Sequence, residues 1–138
     1  MTRIWMLDTN TVSYIIRGKS PAARAKLDSL KGEETACVSA ITEAELRCGT
    51  SKQAPGSARL AALNTLFDKL RILPWTSAEA FVYGDLRAKL ERAGKILGNL
   101  DMLIAAHAIS ANATLVTRDK AFAQVEDLRP PVNWAVDL

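Results

Sequence analysis

One histidine and two cysteines are all the imidazole and thiol chemistry that 138 residues carry. Cys37 and Cys48 form no Cys-x-x-Cys pair and stand in no Cys/His cluster. That excludes a zinc site and leaves buried, reduced thiols as the expectation. The lone His107 cannot supply an acid–base pair of histidines. No apolar run approaches the roughly 18 residues of a membrane span. The stretch Ile4-Trp5-Met6-Leu7 is too short for a signal peptide and meets Asp8 at once. We therefore expect a cytoplasmic chain with Met1 as its natural start and no membrane partner. The length fits one domain, 1–138, with ordinary apolar (49%) and charged (24%) fractions.

What is present is a set of acids at the edges of separate apolar segments. Asp8 follows Ile4-Trp5-Met6-Leu7, Glu45 follows the Ala36–Ser39 segment, Asp101 opens Met102-Leu103-Ile104-Ala105-Ala106, and Asp119 follows Thr114-Leu115-Val116-Thr117. Net charge is only +3, but with those acids set aside the remaining surface is basic. An acidic pit inside a basic exterior suits a polyanion held by its phosphates.

Short apolar runs alternate with helical spacing along the chain. Residues 3–7 read as a buried strand, followed by a helix capped by Thr9 or Asn10 that reaches Gly18. Ser20-Pro21 starts a second helix, running to about Leu30. Thr35–Val38 reads as a strand, and Ser39 as the cap of a helix stopped at Gly49. Ser51–Ser57 is a loop, Leu60 to Leu70 a helix, and Arg71–Trp75 a short strand with Pro74 at its edge. Ser77 caps a helix ending at Gly94, and Asp101 opens another that runs to Ser110. Thr114–Thr117 is a strand, Lys120–Gln124 a helical turn, and Val132–Val136 a last strand. Such alternation predicts an α/β/α sandwich with a central, mainly parallel sheet of four to five strands.

Open parallel sheets bind ligands beyond the carboxyl ends of their strands, where Asp8 and Asp119 fall. Asp101 sits at a helix start, which favours negative charge. Glu43 rivals Glu45: two residues are about 200° apart on a helix, so only one of them faces the site, and the neighbouring apolar residues leave the choice open. A cluster of carboxylates is what Mg²⁺ or Mn²⁺ requires, with oxygen ligands and several retained waters. Such an ion activates water for in-line attack on phosphorus and neutralises the leaving oxygen. Hydrolysis by that route leaves a 5′-phosphate and a 3′-hydroxyl. Asn10 and Thr117 are placed to hydrogen-bond the ligands or a water from behind. His107 lies six residues beyond Asp101, about 240° around the helix, and should be packed away from it.

Together, Met6-Leu7-Asp8-Thr9-Asn10, Ser39-Ala40-Ile41-Thr42-Glu43-Ala44-Glu45-Leu46 with Gly49, Asp101 to Ala108, and Leu115-Val116-Thr117-Arg118-Asp119 with Phe122 resemble the signatures of PIN domains. The resemblance is nearest to VapC toxins of bacterial VapBC toxin–antitoxin modules, and it spans essentially the whole chain in order. The family pattern sets its second acid directly before a leucine and four before a glycine, which implies Glu45 over Glu43. It implies Asp8, Glu45, Asp101 and Asp119 as catalytic, metal-binding acids. It further implies an endoribonuclease acting on a structured tRNA or rRNA, a homodimer, and a VapB-type antitoxin partner. Leu100 departs from the more polar residue that many relatives carry there. Substrate contacts would come from basic residues among Arg17, Lys19, Arg87, Lys89, Arg92 and Lys95, with Arg87 and Lys95 foremost. Two rivals stand beside this reading. One is a catalytically silent PIN-like module that binds RNA or protein. The other is an aspartyl-phosphate phosphatase, because Asp8-Thr9-Asn10-Thr11 loosely resembles a haloacid-dehalogenase motif in which a second Asp would replace Asn10.

Overall fold

In a computed structural model describing residues 2–138, four parallel strands form the centre: β1 (Arg3–Leu7), β2 (Glu34–Ser39), β3 (Arg71–Leu73) and β4 (Thr114–Val116), in the order β3-β2-β1-β4. The helices are α1 (Thr9–Ile16), α2 (Pro21–Asp28), α3 (Ala40–Ser51), α4 (Ala58–Lys69), α5 (Ser77–Arg92) and α6 (Asn99–Ser110), with a 3-10 turn over Lys120–Gln124. Alternation along β1 divides the core between the two faces of the sheet. Trp5 and Leu7 pack with Val12, Leu63 and Leu66 of α1 and α4. Met6 packs with Leu86 and Leu90 of α5 and Ile104 of α6. The result is the expected α/β/α sandwich, with four strands.

Helix α3 touches both α1 on one side of the sheet and α6 on the other. Ser39, at the end of β2, caps α3 by accepting a hydrogen bond from the Ile41 N–H. Its hydroxyl also meets His107 Nδ1 of α6 at 2.7 Å, so the cap is tied to the opposite layer. His107 is buried, as expected, and burial holds its pKa below the ordinary histidine value.

Several boundaries differ from the sequence reading, each for a local reason. Asp8, not Thr9 or Asn10, caps α1, because its carboxylate accepts from the Thr11 N–H. Thr76 precedes Ser77 as the cap of α5, in a capping box completed by Glu79. Helix α3 runs through Gly49 to Ser51, since Gly49 keeps helical geometry there. The expected strand over 132–136 shrinks to one bridge, Val116 to Val132. Pro131 lacks an N–H, and Asn133 turns the chain by accepting from the Ala135 N–H. Cys37 is buried, with its thiol pushed up to about 12, whereas Cys48 is exposed, contrary to expectation.

That turn seats Trp134 against Trp5, with ring centroids 5.6 Å apart at 58°. The Trp5 indole N–H donates to Glu34. Both tryptophans are buried beneath α1 and α2. Replacing Trp134 with Ala should lower the unfolding free energy by about 3–5 kcal/mol, measured by urea titration. A loss within about 0.5 kcal/mol would mean that the C-terminal segment does not seal this core.

Candidate active site

Four carboxylates approach one another at the carboxyl edge of the sheet, and each is delivered by a different element. Asp8 leaves β1 buried and anchored on both oxygens. Oδ1 accepts from the Thr11 N–H at 2.9 Å and Oδ2 from the Thr117 hydroxyl at 2.6 Å. Thr117 Oγ1 also accepts from the Asp119 N–H at 3.0 Å. One hydroxyl at the end of β4 thus fixes two acids against each other. Asp119 then caps the 3-10 turn through the Ala121 N–H.

Asp101 stands in the first turn of α6, whose cap position is Gly98 and offers no side-chain hydrogen bond. A Cβ at Gly98 would lie 3.6 Å from Asp101 Oδ2, so the glycine keeps that side of the carboxylate open. Glu45 projects from α3 and accepts from the Thr9 hydroxyl at 2.6 Å. Glu43 turns outward to Arg47, 3.1 Å away and exposed. The two glutamates left open by helical geometry therefore lie in different surroundings, and Glu45 is the one near the other acids.

Electrostatics ties the group together. Burial pushes the Asp101 carboxyl above its ordinary pKa, and repulsion from Asp119, Asp8 and Glu45 pushes it the same way. Burial likewise raises Asp8 against the lowering effect of its hydrogen bonds, with Asp119 adding repulsion. Among the described residues no lysine, arginine or histidine forms an ion pair with any of the four. Nor do three acidic, histidine or cysteine side chains among these residues close around a single point. Oxygen-only donors, mutual repulsion and absence of a protein counter-ion fit a hard divalent cation that keeps several waters and takes one or two direct carboxylates. They do not fit a dehydrated, fully caged ion.

Other nominated residues fall differently. Thr117 sits behind Asp8 as the spacing suggested. Asn10 is exposed and makes no hydrogen bond to Asp8; it lines a groove beside Glu45. Thr9 was missed, because as a candidate cap it gave no sign of contacting a helix thirty-six residues away. Arg87 is engaged with Glu91 and the Tyr83 hydroxyl, and Lys95 with Glu126 and the Gln124 carbonyl. The Arg87 contacts are exposed and weak enough to exchange for phosphate, whereas Lys95 is half-buried and more firmly held.

Comparison with known proteins agrees with this architecture. The PIN domain family model matches residues 5–128. Ribonuclease VapC2 of Rickettsia felis is 39% identical over 126 residues, covering 91% of this chain and 94% of the relative. The tRNA(fMet)-specific endonuclease VapC of Shigella flexneri is 32% identical over 132 residues, covering 95% and 98%. Among solved structures, VapBC2 from Rickettsia felis bound to a DNA fragment from its promoter superposes with a TM-score of 0.88 at 37% identity, covering 95% of this chain and 98% of that one. DNA-bound VapBC from Salmonella typhimurium gives 0.86 at 30% identity, covering 97% and 99%. The fold and the acid-bearing edge define a PIN domain. The chain belongs to that family and, within it, to the VapC ribonucleases.

The repulsion at Asp101 has a measurable consequence. A carboxyl whose folded pKa is raised contributes stability at low pH, and this is lost as pH rises through the folded value. In the absence of divalent cations, Asp101→Asn should therefore melt a few degrees above the wild type near neutral pH and converge with it at about pH 4. Added Mg²⁺ or Mn²⁺ should stabilise the wild type more than the variant. Equal melting curves at neutral pH, unmoved by either cation, would refute the charge-crowding account.

Proposed function

We propose that the chain is a divalent-metal-dependent endoribonuclease, the toxin of a VapBC-type module, with Mg²⁺ or Mn²⁺ as cofactor. The observation that carries this is the convergence of Asp8, Glu45, Asp101 and Asp119 without a protein cation among the described residues. Asp8 and Asp101 are the acids best suited to direct contact with the ion, Asp8 because it is buried and fixed, Asp101 because its carboxylate has no competing hydrogen bond. Glu45, held by Thr9, and Asp119, held by Thr117 and Ala121, suit the orientation of water. A bound ion would ease deprotonation of that water and neutralise charge on the leaving oxygen. The chain's own part is to hold acceptors for the water's protons, to place the phosphodiester between them, and to return a proton to the departing 3′-oxygen from solvent at this open edge. The products are a 5′-phosphate and a 3′-hydroxyl.

The substrate class is RNA. A tRNA is favoured because relatives covering over nine-tenths of this chain include tRNA(fMet)-specific endonucleases. A VapB-type antitoxin is the protein partner we assign, by analogy with the VapBC complexes the chain superposes on, and a second copy of the chain is the partner that the family resemblance implies. No helix among the described residues is long and apolar enough to cross a membrane. The phosphatase alternative is disfavoured by Asp8 itself, since both its oxygens are occupied and Asn10 does not approach it.

Brief expression of the wild type should arrest growth and yield RNA fragments with 5′-phosphate ends, whereas Asp8→Asn should abolish both. In a cell-free assay, chelation of divalent cations should stop cleavage, and Thr117→Val should reduce metal affinity or activity by about 10–100-fold. Cleavage that survives Asp8→Asn or chelation would exclude metal-dependent hydrolysis. Loss of cleavage with RNA and antitoxin binding intact would separate catalysis from the silent-module alternative.

A further inference from the structure

At the opposite end of the sheet from the acids, where the strands begin, lies a pocket of about 450 Å³. It opens between the start of β1, the end of α6, the start of β4 and the segment after the 3-10 turn. Its lining is Thr2, Arg3, Ile4, Asn112, Thr114 and Arg129, with no carboxylate among them. Arg3 stands five residues before Asp8 on an extended strand, so the pocket is roughly 17 Å from the catalytic edge.

Both arginines are held in place without being neutralised. The Arg3 guanidinium lies 4.4 Å from the centre of the Trp5 ring, a contact that orients it and leaves its edge available. Glu34, its neighbour across the ladder, accepts instead from the Trp5 indole N–H at 2.9 Å. Arg129 donates through Nε to Asn112 Oδ1 at 3.0 Å, and its terminal nitrogens are unengaged among the described residues. Within the same residues neither arginine forms an ion pair with a carboxylate. Asn112 is itself fixed at the end of α6, with a left-handed φ of 53°.

Thr114 supplies an independent observation. It is only 6% exposed, and its alternation with Val116 puts it on the Trp5 side of the sheet. Its hydroxyl has no hydrogen-bond partner among the described residues, yet no side-chain oxygen among them is both sealed from solvent and unpaired. The hydroxyl therefore opens onto the pocket it lines and is satisfied only by what enters there.

We propose that this pocket binds a phosphate ester, with Arg3 and Arg129 on its charged oxygens and the Thr114 hydroxyl donating from the floor. Guanidinium forks, a hydroxyl and the Asn112 amide offer donors from several directions. That set matches the several acceptor oxygens of a phosphate better than the two of a carboxylate. The volume falls within the roughly 300–1,000 Å³ of ligand sites and leaves room for a sugar or base beside the phosphate. An RNA strand and a free nucleotide both carry this chemistry. None of the four acids lines the pocket, so the assignment stands apart from the metal-nuclease reading.

The test measures binding of 5′-AMP and of a short fluorescent single-stranded RNA to full-length Asp8→Asn protein. Divalent cations are chelated, so that phosphate cannot reach the acids through a metal. Arg3→Ala, Arg129→Ala and Thr114→Val are added singly, with Arg129→Lys to keep the charge without the fork. Each of the first three should weaken binding about tenfold, the scale of one charge-assisted hydrogen bond. Arg129→Lys should lose only part of that affinity. Arg129 is exposed and valine matches threonine in shape, so those variants carry the test even if Arg3→Ala, stripped of its Trp5 contact, fails to fold. Loss for AMP alone identifies a free nucleotide as the occupant. Loss for RNA, with the slope of log affinity against log salt falling by about 0.7 for each arginine removed, identifies a strand. The assignment is overturned if the Asp8→Asn parent binds neither probe saturably, or if both affinities survive the arginine changes. It is also overturned if the arginines matter and Thr114→Val does not, which would reduce the pocket to diffuse surface charge. Because the acid edge is disabled throughout, the result does not depend on whether the chain cleaves RNA.

Discussion

Repulsion among four carboxylates is the constraint that the rest of the structure answers to. Asp101 feels Asp119, Asp8 and Glu45, and among the described residues no cation of the chain relieves it. Holding such charges together costs folding free energy, and sites of this kind are offset by stability elsewhere. Here the offset lies in the strands beneath them. Met6, Leu7, Val38, Leu115 and Val116 are fully buried at the sheet end that presents the acids, so the backbone cannot spread to relieve the repulsion.

The topology explains why four separate segments meet. Parallel strands all point their carboxyl ends one way, which places Asp8 after β1 and Asp119 after β4, its immediate neighbour. The Asp8 N–H continues that ladder by donating to the Val116 carbonyl at 3.0 Å. Thr117 then closes the pair with its hydroxyl. The other two acids come on helices that no strand ladder aligns. Their register is set instead by α3 touching α1 and α6, and by the Ser39–His107 contact at the α3 cap. Buried His107 links the helix bearing Glu45 to the helix bearing Asp101.

Much of this was legible in the chain because the physics is local. The apolar run before Asp8, the Ser20-Pro21 start and the Ser39 cap announce their elements by composition, and α/β alternation then dictates a parallel sheet. Features set by tertiary contact were not legible. Helical geometry separates Glu43 from Glu45 but cannot say which faces the other acids; the family pattern singles out Glu45, and the contact that holds it, with Thr9, is made by packing rather than by sequence proximity. Val132–Val136 has strand composition, but Pro131 and the Asn133 turn limit it to one bridge and free Trp134 to cover Trp5. Cys48 reads as apolar, yet its position on α3 faces solvent.

The four acids are chemically unequal, and their hydrogen bonds show how. Asp8 has both oxygens engaged by groups that favour its charged form, while burial opposes that charge. It is rigid and disfavours ionisation unless a positive charge arrives. Asp101 is disfavoured in the same direction but has no hydrogen bond to hold it, and Gly98 leaves room on one side. A fixed acid opposite a free one can close on a cation without moving the backbone, because only the side-chain torsions of Asp101 need adjust. Glu45 and Asp119 are each restrained through one oxygen by a threonine hydroxyl or a backbone N–H, leaving the other to accept from water. On the proposed reading, the fixed Asp8 and the free Asp101 would hold the ion between them, while Glu45 and Asp119, each with one oxygen left over, would orient water.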